Sequence, residues 1–413
     1  MSQPSLFYAH EVAHAVALAD VVDLFAGPRG WSEGLHLLDP DARDIGVELD
    51  RWANATARAA GHLTVEADVS EVNPTDYAGA RGLIASPPCQ AFSTAGTGHG
   101  REHLAALLEA VDRHDWTARP HRDPNVWLVL EVGRWISKLA PEWIACEQVP
   151  AVLPIWERYA AWLSEAGYST WTGILNAADY GVPQIRKRAV LIASRTTTVD
   201  RPPPSHSKDG DPLEQWITMA EALGWTGRVG FPRLDDTGTS EDGYRERDWN
   251  TTDNPSHTLT EKARSWLVST GRDWRADGSS QMIDGTEQPA PTVSASSGGQ
   301  WHLGETNRSR SPIEAEPDEP DGWVFERPST TIAGDARAFS PGGHKANDGR
   351  DNSKQIGRSE NTIMLEIADA LRLQSFRADY PVKGTKTKQF EQIGNAVPPL
   401  LAAAVLRQVI VKT

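Results

Sequence analysis

Short apolar runs alternate with longer helix-period segments through the first half of the chain. Val21-Val22-Asp23-Leu24-Phe25, Ile45–Asp50, Leu63–Asp68, Gly82–Ser86 and Trp143–Cys146 read as strands. Between and after them, Arg51–Ala60, Glu102–Asp112, Val126–Leu139 and Ile155–Ala166 carry apolar residues at three- and four-residue steps, as in Leu104, Leu107, Leu108 and Val111. Ser169–Leu175 and Arg188–Ala193 add two strands. Strands alternating with helices at this spacing predict an α/β fold with a doubly wound, mainly parallel sheet.

The alternation stops at Arg201-Pro202-Pro203-Pro204-Ser205. Beyond it lies a stretch rich in Gly, Ser, Thr, Asp and Trp with short apolar runs. An acid-x-Pro-small-x-Thr-apolar pattern recurs there at Asp253–Leu259, Glu287–Val293 and Glu326–Ile332, each read as a turn feeding a short strand. Three irregular copies are too few for a solenoid. The expected organisation is a first domain of residues 15–204 plus 390–413 and a smaller β-rich domain of residues 205–389, with a polar loop at Arg337–Ser359. Met364–Gln374 reads as a helix and Lys383–Lys388 as a basic loop. The final helix, Leu400–Val411, is apolar on nearly every side and is expected to pack back on the first domain.

Composition narrows the class. With 413 residues, 39% hydrophobic and 23% charged, the chain has enough length for two domains and the balance of a soluble globular protein. No apolar run reaches membrane-spanning length, and no Lys or Arg precedes Arg29, so neither a membrane partner nor a secretory signal is expected. Two distant cysteines, Cys89 and Cys146, form neither a disulfide framework nor a metal knuckle; a cytoplasmic location and no metal are expected. The formal charge of −15 argues against a protein that coats nucleic acid, yet leaves room for a duplex held in a locally basic cleft.

Candidate chemistry gathers first at Gly82–Ser93. Two prolines, Pro87 and Pro88, fix φ, remove two backbone donors and hold the residues before them extended. They present Cys89 on a rigid support at the carboxyl end of a strand, where open α/β sheets place ligands. A lone cysteine is more often a small buried residue; the clamp and the polar loop after it favour a presented nucleophile.

The strand-to-glycine turn from Asp23 to Gly30, followed by Glu48 at the next strand end, is an arrangement that binds adenosine-type cofactors, the acid accepting from ribose hydroxyls. Arg29 stands where a second glycine is expected, which disfavours a pyrophosphate cofactor more than one without phosphates. Asp68 closes the third strand and could accept from an adenine amino group. Both acids also fit as ordinary exposed strand ends. Glu147, after an apolar strand, is a candidate proton donor. Alternation puts Gln184, Arg186 and Arg188 on one face.

Together these segments resemble the DNA (cytosine-5) methyltransferases. Asp-Leu-Phe-Ala-Gly at 23–27, Pro-Cys-Gln at 88–90, Glu-Gln-Val at 147–149, Gln-x-Arg-x-Arg at 184–188 and Gly-Asn-Ala-Val-Pro-Pro at 394–399 come in that family's order. Asn176–Pro183 and Leu371–Phe376 are similar as well. The likeness covers residues 20–200 and 360–410, with the middle matching only in position, as a target-recognition domain does. The resemblance implies a Rossmann-like, S-adenosylmethionine-dependent enzyme acting on a specific sequence in double-stranded DNA.

In that family's scheme Cys89 attacks carbon 6 of a flipped cytosine, Glu147 holds and protonates nitrogen 3, and Arg188 contacts the ring oxygen, with Arg186 and Gln90 beside them. Cofactor positions fall on Phe25, Gly27, Gly30, Glu48, Leu49, Asp68, Val69, Pro88, Leu128 and Asn395, and DNA contacts on Ser93, His99, Arg101 and Gln184. The loop Thr94–Arg101 would close over the flipped base. A monomer is expected, with a restriction endonuclease as a functional partner.

Four positions depart from the family pattern: Arg29 for glycine, Gln148 for asparagine, and Glu366 and Asp369 for threonine and glutamate. Rival readings are a catalytically impaired DNA-binding relative, an RNA cytosine-5 methyltransferase, a thymidylate-synthase-like enzyme lacking the cofactor turn, and a dehydrogenase, which Arg29 disfavours.

Overall fold

The computed structural model describes residues 16–92, 99–224, 255–259 and 365–410, together with His14 and the backbone of four short strands between 267 and 364. One seven-stranded sheet organises the first unit. Its strands are β1 (Val21–Leu24), β2 (Asp44–Glu48), β3 (Thr64–Glu66), β4 (Gly82–Ala85), β5 (Trp143–Gln148), β6 (Ser169–Asn176) and, after the two-residue β7 (Gln184–Ile185), β8 (Lys187–Ser194). Their order is β3-β2-β1-β4-β5-β8-β6. Neighbours are parallel except at β8, which runs antiparallel to both β5 and β6. The doubly wound, mainly parallel sheet expected from the alternation is the one found.

Strand order reverses between β1 and β4, so the crevice beyond their carboxyl ends is the topological switch point. The Phe25–Gly30 turn and the Ser86–Cys89 segment both begin there. Trp31 ties them together by donating its indole N–H to Ser86 Oγ at 2.8 Å.

Two cores follow from the period-2 alternation of the strands. Val22, Leu24, Leu83, Ala85, Ile144 and Cys146 face one layer, which contains α2 (Leu104–Asp112), α3 (Pro124–Leu139) and α4 (Leu153–Glu165). Val21, Ile84, Trp143 and Ala145 face the other, with α1 (Gly30–His36) and the last helix of the chain. That helix, Pro399–Leu406, lies on α1: a Cβ at Gly34 would stand 2.6 Å from Ala402 Cβ. The apolar terminal helix therefore returns to the sheet, as its composition demanded.

Compact units divide as residues 1–223, 255–261 and 367–413 in one, and residues 224–254 and 262–366 in the other. Three segments expected in the second domain fall in the first unit. They are residues 205–223, residues 367–389, and residues 255–259 of the first copy of the recurring pattern, where Ser256–His257 forms a strand pairing in parallel with β7. The other two copies and the loop at 337–359 lie outside the described residues. In the second unit, strand pairs Leu267–Ser269 with Thr362–Met364 and Arg272–Trp274 with Ser280–Met282 are both antiparallel.

The helix expected from Met364 starts at Ile367, because Met364 still belongs to a strand. Lys386 and Lys388 are not loop residues but the first turn of a helix running to Asn395, capped by the Thr385 hydroxyl accepting from the Lys388 N–H.

Candidate active site

Cys89 sits four residues beyond β4, half-buried against the first core. The segment that carries it is held from β5. Gln148 donates its amide to the carbonyls of Pro87 at 2.6 Å and Pro88 at 3.0 Å. These are carbonyls that no strand partner satisfies once two prolines have ended the ladder. The side chain read as a displaced asparagine is thus the brace of the Pro-Pro clamp. Nothing local in the sequence signalled that contact, because it joins positions about sixty residues apart.

Glu147 precedes Gln148 and is 5% exposed. Antiparallel pairing sets it opposite Val190, so Arg188 is its diagonal neighbour. Arg188 Nε lies 2.8 Å and Arg186 Nη2 3.9 Å from Glu147 Oε1. Neither N–H is aimed at that oxygen, so Oε1 is buried without a hydrogen bond. Arg186 is itself held by donating to the Gly394 carbonyl at 2.7 Å. Burial pushes the Cys89 thiol above its ordinary pKa, Arg188 pulls it down and Glu147 pushes it up again. One thiol, one carboxylate with an open acceptor and two guanidinium groups therefore share a single charge environment.

Gln184 does not join them. The strand breaks at Arg186, between β7 and β8, and the alternation breaks with it. Gln184 is fully buried, donates to Gln374 Oε1 at 2.5 Å and to the Leu373 carbonyl at 3.2 Å, and accepts from the Leu259 N–H. It ties three chain segments together and is no surface for DNA.

The expected cofactor positions divide the same way. Phe25 and Gly27 take positive φ, +58° and +53°, and a Cβ at Gly27 would meet nothing within 4 Å. The Gly27 N–H donates to Glu48 Oε2 at 2.8 Å, so the acid shapes the turn as well as facing it. Burial raises the Glu48 pKa. Leu49, next along, is a large apolar side chain left 65% exposed. Asp68 is steadied through Oδ1 by the N–H and hydroxyl of Ser70. Asn395 is exposed at the end of its helix, one residue beyond the carbonyl that anchors Arg186.

Gly30 and Val69 are buried. A side chain at Gly30 would collide with the Val397 carbonyl, so this glycine serves packing. Val69 is 3% exposed in the first core, where its carbonyl accepts from Arg134 at 2.6 Å. Leu128 is 9% exposed on α3, Pro88 half-buried and Gln90 exposed beside Cys89. Arg101 is exposed, His99 is turned inward, and Ser93 and residues 94–98 lie outside the described residues.

Arg29, which replaces a glycine of the cofactor turn, points away from it. Its left-handed φ of +72° swings the side chain under β2, where it is fully buried. There it pairs with Asp23 at 3.2 Å and with Asp44. Gly46 is glycine for the same reason: a Cβ would run into the Arg29 guanidinium. Ser32 and His36 also hold Asp44, and His62 pairs with Glu33 at 2.9 Å. Tyr380 completes the support by donating its hydroxyl to the Pro28 carbonyl at 2.6 Å, a contact between segments that no sequence pattern joins.

A model of the C-5 cytosine-specific DNA methylases matches residues 19–411, with Cys89 and Glu147 inside the match. The chain belongs to that family. The type II methyltransferase M.DdeI of Desulfomicrobium norvegicum is 24% identical, covering 94% of this chain and 88% of its own. M1.HphI of Haemophilus parahaemolyticus is 25% identical over 94% and 86%. Among solved structures, a DNMT2 variant from Spodoptera frugiperda shares the fold at a TM-score of 0.50 and 13% identity, covering 94% and 98% of the two chains. This DNA cytosine-5 methyltransferase thus resembles type II methyltransferases in sequence and the DNMT2 structure in fold. Among the described residues no helix is long and apolar enough to cross a membrane.

Proposed function

We propose that the enzyme methylates carbon 5 of a cytosine turned out of duplex DNA, through a transient bond between Cys89 and carbon 6. The observation that carries the reading is the buried, unbonded Oε1 of Glu147 in the charge environment of the Cys89 thiol. That oxygen is held by its ion pairs with Arg188 and Arg186 and makes no hydrogen bond, so a proton shared with the ring nitrogen of a bound pyrimidine would give it one.

S-adenosylmethionine fits the residues at the switch point. The open side of Gly27 admits a ligand against the backbone, Glu48 and Asp68 offer carboxylate acceptors, and exposed Leu49 offers an apolar face for a purine. When bound, it supplies an electrophilic methyl group.

The chain's own residues do the rest. Cys89 releases its proton to solvent water as Arg188 and Arg186 stabilise the thiolate, and its sulfur pair forms the bond to carbon 6. The ring's electron pair moves toward carbon 5 while Glu147 shares a proton with nitrogen 3. Arg188 holds the Glu147 carboxyl in place and reaches toward the ring oxygen. After carbon 5 has gained its methyl group and lost its proton, the pair left behind restores the double bond and expels the thiolate.

Residues of the second unit are proposed to choose the DNA sequence, with a restriction endonuclease as functional partner. Tritiated S-adenosylmethionine and duplex DNA test the chemistry. The expected result is label on carbon 5 that disappears in Cys89→Ala while DNA binding remains; undiminished labelling by that variant overturns the reading.

A further inference from the structure

A second cluster of ligating side chains stands apart from the cysteine site. His99 and His103 are four residues apart on one helical turn, with the His103 N–H bonded to the His99 carbonyl at 3.1 Å. That spacing puts both imidazoles on one face, as in helical zinc sites. Across from them, His121 and Asp123 precede α3. The ligand atoms of His99, His121 and Asp123 all lie within 4.8 Å of one another. The His121 ring is 4.7 Å from that of His99 and 5.0 Å from that of His103, centre to centre.

Two further observations point to a missing partner. His99 Nδ1 is buried without any hydrogen bond. Asp123 spends Oδ1 on capping α3 through the Asn125 N–H, which leaves its second oxygen for a cation. Three rings and a carboxylate crowded this closely, with a buried nitrogen unsatisfied, make little sense as a hydrogen-bonded group, since imidazoles facing one another compete to be donor or acceptor.

We infer that His99, His103, His121 and Asp123 form a binding site for a divalent transition metal, with zinc the best match. Three borderline nitrogen donors and one carboxylate oxygen suit tetrahedral Zn²⁺ and disfavour Mg²⁺ or Ca²⁺, which need oxygen cages. His121 Nδ1 now accepts the Asp123 N–H at 3.0 Å. Coordination through either ring nitrogen gives up that bond, because the other nitrogen must then carry the proton. Binding is therefore expected to be weaker than at a site whose ligands start free of other bonds.

The site's position gives it a structural consequence. Gly100 donates its N–H to the Ala91 carbonyl at 3.0 Å, and a Cβ there would meet the Phe92 ring at 2.6 Å. A metal at His99 thus pins the chain just beyond the Cys89 segment to α3. The sequence reading expected no metal because it sought cysteine knuckles; the His-x-x-x-His and His-x-Asp spacings were the signal it passed over.

The test uses untagged full-length protein, stripped with a chelator and titrated with Co²⁺, then with Zn²⁺. The expected result is one bound Co²⁺ with visible ligand-field bands, displaced by Zn²⁺, and a rise in Tm with Zn²⁺ because only the folded chain assembles the ligands. His121→Ala and the milder His103→Gln should abolish the bands, while His114→Ala, a distant exposed histidine, should keep them. Absence of stoichiometric binding to the folded wild type, or bands that persist in both ligand variants, would overturn the assignment. Circular dichroism of each variant confirms that a loss of bands is not a loss of fold.

Discussion

Replacing Arg29 should cost more than its place in a glycine turn suggests. Its guanidinium is the shared counter-charge of Asp23, fully buried, and Asp44, whose side chain is 4% exposed. Removing one member of a buried ion pair costs about 3–5 kcal/mol, because the surviving charge is stranded. Here the loss falls at the lower end. Asp23 already holds its proton up to about 7, since burial outweighs the pull of Arg29, and Asp44 keeps Ser32 and His36. Arg29→Met is therefore expected to lose about 3 kcal/mol. Arg29→Gly should lose roughly 1 kcal/mol less, because glycine carries no penalty at a left-handed φ.

The assay is urea unfolding followed by tryptophan fluorescence and far-ultraviolet circular dichroism, with coincident transitions required before a single free energy is assigned. Protonation gives a second readout. Between 3.8 and about 7 the folded chain keeps a proton on Asp23 that the unfolded chain has released, so this group's contribution to stability falls as pH rises. His36, raised by its bond to Asp44, acts in the same direction above its ordinary value, and His62, lowered by burial, acts in the opposite direction below it. Asp23→Asn removes the Asp23 part of that slope and leaves the parts from Glu48 and the histidines. An Arg29→Met variant within about 1 kcal/mol of the wild type would refute the reasoning, since no buried charge would then have been stranded.

Three other outcomes follow from the same geometry. Gln148→Ala leaves the Pro87 and Pro88 carbonyls without donors, and loosening the Cys89 support should lower kcat on the order of ten- to a hundredfold with KM for the methyl donor little changed, as steady-state kinetics would read. Alkylation of Cys89 by iodoacetamide should climb with pH and show no plateau below pH 9, because burial raises the thiol, while buried Cys146 stays unmodified by peptide mass mapping. Gly34→Leu forces a side chain against Ala402 and the Pro399 carbonyl, both 2.6 Å from the first added atom, and should destabilise by about 1–3 kcal/mol, seen as a lowered Tm.

Much of the architecture was readable because local pattern and burial agree. The strands of the sheet are short apolar runs whose alternate residues feed two opposite cores, and the Pro-Pro-Cys segment announces its own rigidity. What escaped were side-chain directions set by distant partners. Arg29 looked like an obstacle in a turn because Asp44, which draws it under β2, lies fifteen residues away. Gln184 looked like a companion of Arg186 and Arg188 because nothing local marks the break between β7 and β8. Gln148 looked like no more than a departure from asparagine, and it braces the nucleophile's segment. By contrast, the helix from Lys386 was legible and missed: Thr385 is an ordinary capping residue, obscured by the lysines that follow it.

The account rests on reversible attachment of Cys89 to a cytosine ring, and covalent trapping tests it most directly. Duplex DNA carrying 5-fluorocytosine at target positions has no carbon 5 proton to lose, so the expelling step cannot occur. Incubated with S-adenosylmethionine, the wild-type chain should form a denaturation-resistant adduct that peptide mass mapping places on Cys89, and Cys89→Ser should form none. A wild-type chain that methylates ordinary DNA but forms no adduct with the fluorinated duplex, or an adduct at any other residue, would contradict it.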